Sequence, residues 1–153
     1  MKKVFYLLIT TLFFTSCKSN QNTGMAQTTL KQGIKGQVIW VEGNQMPSIG
    51  ETKKAEPKGI EREVYIFPAQ NTSDHKIIGT FYTIEAKPVK VVKTDENGFY
   101  EAELEAGTYS VFIKEDKGFF ANGFDGKGNI SPVVVTEGEI IEKNIRVDYK
   151  AAY

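Results

Sequence analysis

The chain has 153 residues, 41% hydrophobic and 25% charged, with 19 basic and 19 acidic side chains. That balance provides neither the basic face that neutralises nucleic-acid phosphates nor a polybasic patch for anionic lipid headgroups. Cys17 is the lone cysteine, so no disulfide can close within the chain, and a single core must hold the fold without staples.

Lys2 and Lys3 open the chain, an apolar run over residues 4–14 follows, and Phe14-Thr15-Ser16 leads into Cys17. A charged start, a short apolar stretch and small residues at a cut site describe a secretory leader. The run is 11 residues long, whereas a spanning helix needs about 20. The segment ending in Cys17 resembles the lipobox of bacterial lipoproteins. That resemblance implies cleavage before Cys17 and lipidation of its sulfur by diacylglycerol, with acyl chains such as palmitate as the membrane anchor. Residues 1–16 are then the leader. Loss of Lys2 and Lys3 with the leader leaves 17 basic against 19 acidic groups, a net −2, so the membrane partnership rests on the lipid at Cys17. Each buried methylene contributes about 0.8 kcal/mol, and a second chain makes the anchorage durable.

Residues 17–32 read as the acylated cysteine and a polar, flexible tether without hydrophobic period. Its fifteen residues after Cys17 span about 20 Å as a coil and roughly 50 Å when stretched. Residues 33–153 form the folded domain.

From Gly33 onward, β-branched and aromatic runs alternate with turn residues. Val38-Ile39-Trp40-Val41, Val64-Tyr65-Ile66-Phe67, Thr80-Phe81-Tyr82-Thr83 and Val89-Lys90-Val91-Val92 come first. Tyr109-Ser110-Val111-Phe112-Ile113, Val133-Val134-Val135 and Ile145-Arg146-Val147-Asp148-Tyr149 follow. Such residues suit a pleated, half-buried surface. Tyr100, Ala102 and Leu104 share one strand face while Glu101, Glu103 and Glu105 share the other, the alternation of an antiparallel sheet with one solvated side. Asp95-Glu96-Asn97-Gly98 marks a turn, because Gly98 accepts a positive φ. Residues 43–60, broken by Pro57 and Gly59, read as an exposed loop. The pattern predicts an all-β fold: an antiparallel, Greek-key-like β-sandwich of about seven to nine strands.

The segment Lys93-Thr94-Asp95-Glu96-Asn97-Gly98-Phe99-Tyr100, then Leu104, then Ala106-Gly107-Thr108-Tyr109-Ser110-Val111, resembles the carboxypeptidase-regulatory-like domains of the transthyretin-like (prealbumin-like) superfamily. Those domains have a Thr-Asp-x-x-Gly-x-Tyr turn and strand followed by a Gly-x-Tyr-x-Val strand. The resemblance implies a transthyretin-like, non-catalytic sandwich; the residues themselves, apart from it, predict Tyr109, Val111 and Ile113 as cross-strand neighbours of Tyr100 and Leu104. Together with the leader, the chain is similar to Bacteroidetes-type envelope lipoproteins. Lys18 in place of the Asp of inner-membrane retention implies the outer membrane, with the membrane face left open.

Candidate chemistry is sparse. Thr72-Ser73-Asp74-His75 holds the lone histidine, but adjacent residues cannot converge as nucleophile, base and orienter, and one histidine makes no zinc set. It reads as an exposed turn. Asp125-Gly126-Lys127-Gly128-Asn129 resembles a calcium loop, yet Lys127 would repel a cation and the twelfth position, Thr136, is not Glu. The same glycines fail as a phosphate cradle, since Pro132 and a β-branched run follow instead of a helix. Glu101, Glu103 and Glu105 read as a solvated face. Phe119, Phe120 and Phe124, with Asp125 and Asn129, are the candidate ligand contacts, because aromatic loops can form a platform for glycan or peptide. The expectation is therefore a binding or structural envelope module without catalytic residues, cofactor or metal. Its alternative is an envelope hydrolase or a carbohydrate- or peptide-binding accessory protein. A further reading is a sheet edge that receives a partner's strand.

Overall fold

A computed structural model describes residues 29–46 and 56–153. The leader, Cys17, most of the tether and residues 47–55 of the expected loop lie outside the described residues. Twelve strands are present among them: β1 (Gly33–Asn44), β2 (Lys58–Gly59), β3 (Glu63–Pro68), β4 (Lys76–Ile78), β5 (Phe81–Thr83) and β6 (Lys90–Lys93), then β7 (Phe99–Glu103), β8 (Gly107–Glu115), β9 (Gly118–Phe120), β10 (Pro132–Val135), β11 (Ile140–Glu142) and β12 (Ile145–Ala152). One 3₁₀ turn covers Thr72–Asp74.

The strands form a β-sandwich of a five-stranded and a seven-stranded sheet. Most neighbours are antiparallel, as the alternation predicted. The strand number exceeds the expected seven to nine because β2, β4, β9 and β11 span only two or three residues each, too short to show a period in sequence. A second departure is that β1 runs parallel to both β11 and β12. Parallel neighbours need a crossover, and here the chain supplies it by leaving β10 in the large sheet and returning beside β1.

β1 organises the small sheet. Its first half lies between β7 and β11, its second between β2 and β12. The break between β11 and β12 falls opposite Gly36, where a Cβ would run into the Lys143 carbonyl; only glycine permits that approach. The same carbonyl accepts the Tyr100 hydroxyl at 2.6 Å.

In the large sheet the order is β4-β5-β9-β8-β3-β6, with β10 on β8. Its inner face presents Val64, Ile66, Val111, Ile113, Phe120, Val133 and Val135 to Ile34, Val38, Tyr100, Ala102, Ile145 and Val147 of the small sheet. Tyr100 and Leu104 therefore meet Tyr109, Val111 and Ile113 across the sandwich. The expectation that they are cross-strand neighbours is corrected: β7 pairs with β1, and β8 pairs with β3, β9 and β10. The turn at Asp95–Gly98 likewise carries the chain from one sheet to the other. Gly98 takes φ +83° there, and Asp95 Oδ1 accepts the backbone N–H groups of Asn97 and Phe99 at 2.9 and 2.8 Å.

The outer face of the large sheet is also covered. Phe67, Tyr82 and Phe112 pack there beneath Ile84, Ala121 and Ile130, so the loop after β9 is a lid of structure over a second core. Ser110, fully buried, accepts from the Gln70 N–H at 2.9 Å and stitches the neighbouring loop to the sheet.

Candidate functional site

The loop after β9 is held by its own side chains. Asp125 accepts the N–H of Lys127 at 2.8 Å and that of Asn129 at 2.9 Å through one oxygen, and the Asn129 side-chain amide at 2.6 Å through the other. The Asn129 bonds, foremost the side-chain one, hold the Asp125 carboxyl below its ordinary range. Asn71, far away in sequence, donates to Lys127 O at 3.0 Å and to Asn129 Oδ1 at 3.3 Å. Both Asp125 oxygens are thus spent on closing the loop, and no group of three or more His, Cys, Asp or Glu suited to a metal occurs among the described residues.

The three phenylalanines diverge. Phe120 is fully buried in the inner core. Phe119 points to the opposite face, 5.1 Å from Tyr65 and 5.2 Å from Phe67 between ring centroids, with Lys114 Nζ 4.5 Å from its ring. Phe124 stands 55% exposed on the loop. They do not share one platform. His75 is half-buried beyond the 3₁₀ turn, its Nε2 enclosed without a hydrogen-bond partner. The Ser73 hydroxyl is engaged with Asn71 and Asp74.

The tether joins the sandwich at one pole. The Gln32 side chain donates to Leu104 O at 2.9 Å and accepts from the Gly138 N–H at 2.7 Å, while Gly33 N donates to Glu139 O at 3.0 Å. β1 and β8 both start near this pole, and twelve extended residues of β1 carry the chain roughly 40 Å away from it.

In the distal half lies a cleft of about 550 Å³, lined by Ile78, Gly79, Thr80, Phe81, Lys117 and Tyr149. A smaller recess of about 200 Å³ adjoins it and adds Glu115, Asp116 and Lys150. Its floor is aromatic: Tyr149 lies 5.0 Å from Phe81, 5.4 Å from Phe120 and 5.3 Å from Trp40. Glu115 is locked on both oxygens, by Arg62 Nε at 2.8 Å and by the Tyr149 hydroxyl at 3.0 Å. Burial and that bond push the Tyr149 phenol above its ordinary value. Arg62 and Lys150 both lie over Trp40, at 6.0 and 5.5 Å from its ring. A carboxylate so engaged is a poor general base.

None of the cleft residues stood out in sequence. They come from β4, its turn into β5, β5 itself, the β8–β9 turn and β12, and only the fold brings the distant ones together. Comparison with protein-family models, with curated proteins and with solved structures finds no match.

Proposed function

We propose that this chain is a lipid-anchored envelope module that works by binding, with acylated Cys17 as its anchor in the outer membrane. The observation that carries this reading is polarity: the tether enters at the Gln32–Gly33 pole, whereas the aromatic cleft opens in the other half of the sandwich. A protein moored at the first pole presents the second away from the bilayer, toward partners in the envelope. Mooring raises the effective concentration of the cleft for such partners to the millimolar scale that short flexible linkers give. The Lys2-Lys3 start, the apolar run and the small residues before Cys17 support export and acylation.

The test is crosslinking in intact cells from a photoreactive residue at Ile78, compared with one at Glu103 on the solvated face near the tether. The proposal expects envelope proteins captured at Ile78 and few at Glu103. Equal or absent capture at the two sites would contradict it.

A further inference from the structure

The small sheet ends at β12, which pairs with β1 and with no other strand among the described residues. The facing sheet does not end there. Tyr149 of β12 lies against Phe81 of β5 and Phe120 of β9, so β12 covers those two strands. β4 continues the large sheet one strand further out. Neighbouring strands stand about 4.8 Å apart, so among the described residues no strand takes the position beside β12, while the sheet opposite it is in place. β4 shows the consequence: Ile77 is 44% and Ile78 63% exposed, and Ile78 lines the cleft with Phe81 and Tyr149.

We infer that an extended polypeptide segment of a partner protein adds as a strand to the outer edge of β12 and covers Ile78. This rests on the binding role proposed above and names its ligand class. Backbone groups along the edge supply the affinity, and the cleft selects the side chain that enters it. The edge is taken at its start, because Asn122 Nδ2 donates to Arg146 O and to Asp148 Oδ1, both at 2.9 Å. The added strand therefore docks on residues 148–152.

Charge defines its composition. Lys117 and Lys150 line the cleft and its adjoining recess, and neither is in an ion pair among the described residues. Glu115 is already neutralised by Arg62, which leaves Asp116 as the local unpaired carboxylate. A segment alternating apolar and acidic residues fits, the apolar ones lying on Ile78, Phe81 and Tyr149. A second copy fits poorly, since it would bring the same two lysines to the same seam.

The test uses the full mature protein in detergent and two capped octapeptides, one alternating Val and Glu and one alternating Val and Lys, titrated by calorimetry. The Val–Glu peptide is expected to bind and the Val–Lys peptide to bind at least about tenfold more weakly, a difference of about 1.4 kcal/mol. Ile78→Glu should abolish binding, and the Lys117→Glu, Lys150→Glu pair should reverse the preference. These side chains are on the surface, so circular dichroism should be unchanged. Equal binding of the two peptides, binding of neither, or indifference to Ile78→Glu would overturn the inference. Concentration-dependent dimerisation that Ile78→Glu abolishes would also overturn it, by assigning the edge to a second copy. If the peptides fail while crosslinking from Ile78 still captures envelope proteins, the inference falls and the binding role stands.

Discussion

The Tyr100 hydroxyl donates to the Lys143 carbonyl at 2.6 Å, reaching from β7 past the middle of the small sheet to the break between β11 and β12. Tyr100 is 3% exposed, so its phenol is pushed well above the ordinary value by burial, and the bond is made in a dry setting. Tyr100→Phe keeps the ring and removes the donor. A buried acceptor left unmade costs about 1–3 kcal/mol. The unfolding free energy should fall by that amount, read as a lower urea midpoint at an unchanged slope; an unchanged midpoint would mean that the Lys143 carbonyl finds water instead.

Gly36 faces the same carbonyl from β1. Gly36→Ala places a methyl group against backbone, which cannot give way as a flexible side chain can, and overpacking of this kind costs about 1–3 kcal/mol. Gly43, where a Cβ would meet nothing within 4 Å, is the control for space, although its φ of +77° brings a strain of its own. The destabilisation at Gly36 should appear in thermal melts as a lowered melting temperature; an unchanged one would mean that the Lys143 carbonyl moves aside.

Lys143 is half-buried, and desolvation holds its ammonium pKa below the usual value. A lysine depressed in the folded state favours folding less when it is charged. Its cost is present at low and neutral pH and fades as pH rises through the depressed value. Lys143→Met should therefore raise the melting temperature at pH 7, with the gain shrinking toward pH 10. A gain independent of pH would assign the effect to packing alone.

Asp125 works in the opposite sense. Its carboxyl is held below the ordinary 3.8 by the bonds from Asn129 and Lys127, so the loop is secured above that value and loosened as pH falls through the lowered one. Protection of the Lys127 and Asn129 amides, taken relative to the intrinsic exchange rate at each pH, should fall in acid, and Asp125→Ala should reproduce the low protection at neutral pH. Added calcium should leave both protection and melting temperature unchanged; a calcium-dependent shift would revive the loop as an ion site.

The fold was largely readable because its signals are local. Period two in Tyr100, Ala102 and Leu104, the β-branched runs, and Gly98 in its turn each report on a few neighbouring residues. Sheet membership was not readable. The turn at Asp95–Gly98 looks like a hairpin in sequence, yet it crosses between sheets, because what β6 and β7 pair with is decided by distant strands. The candidate site divides along the same line. Asp125 and Asn129 were found as neighbours in sequence and belong together as a loop closure, whereas Phe119 and Phe120 point to opposite faces of β9 by strand alternation. Tyr149, Phe81, Lys117 and Ile78 carry no shared motif, and only the fold, with no described strand beside β12, makes them a cleft.

Everything proposed about where the cleft faces depends on what is attached at Cys17. Mass spectrometry of the protein extracted from membranes addresses that directly. The account predicts a chain beginning at Cys17, with residues 1–16 removed and acyl chains on the sulfur and amine. A chain still beginning at Met1, or a free thiol at Cys17, would contradict it.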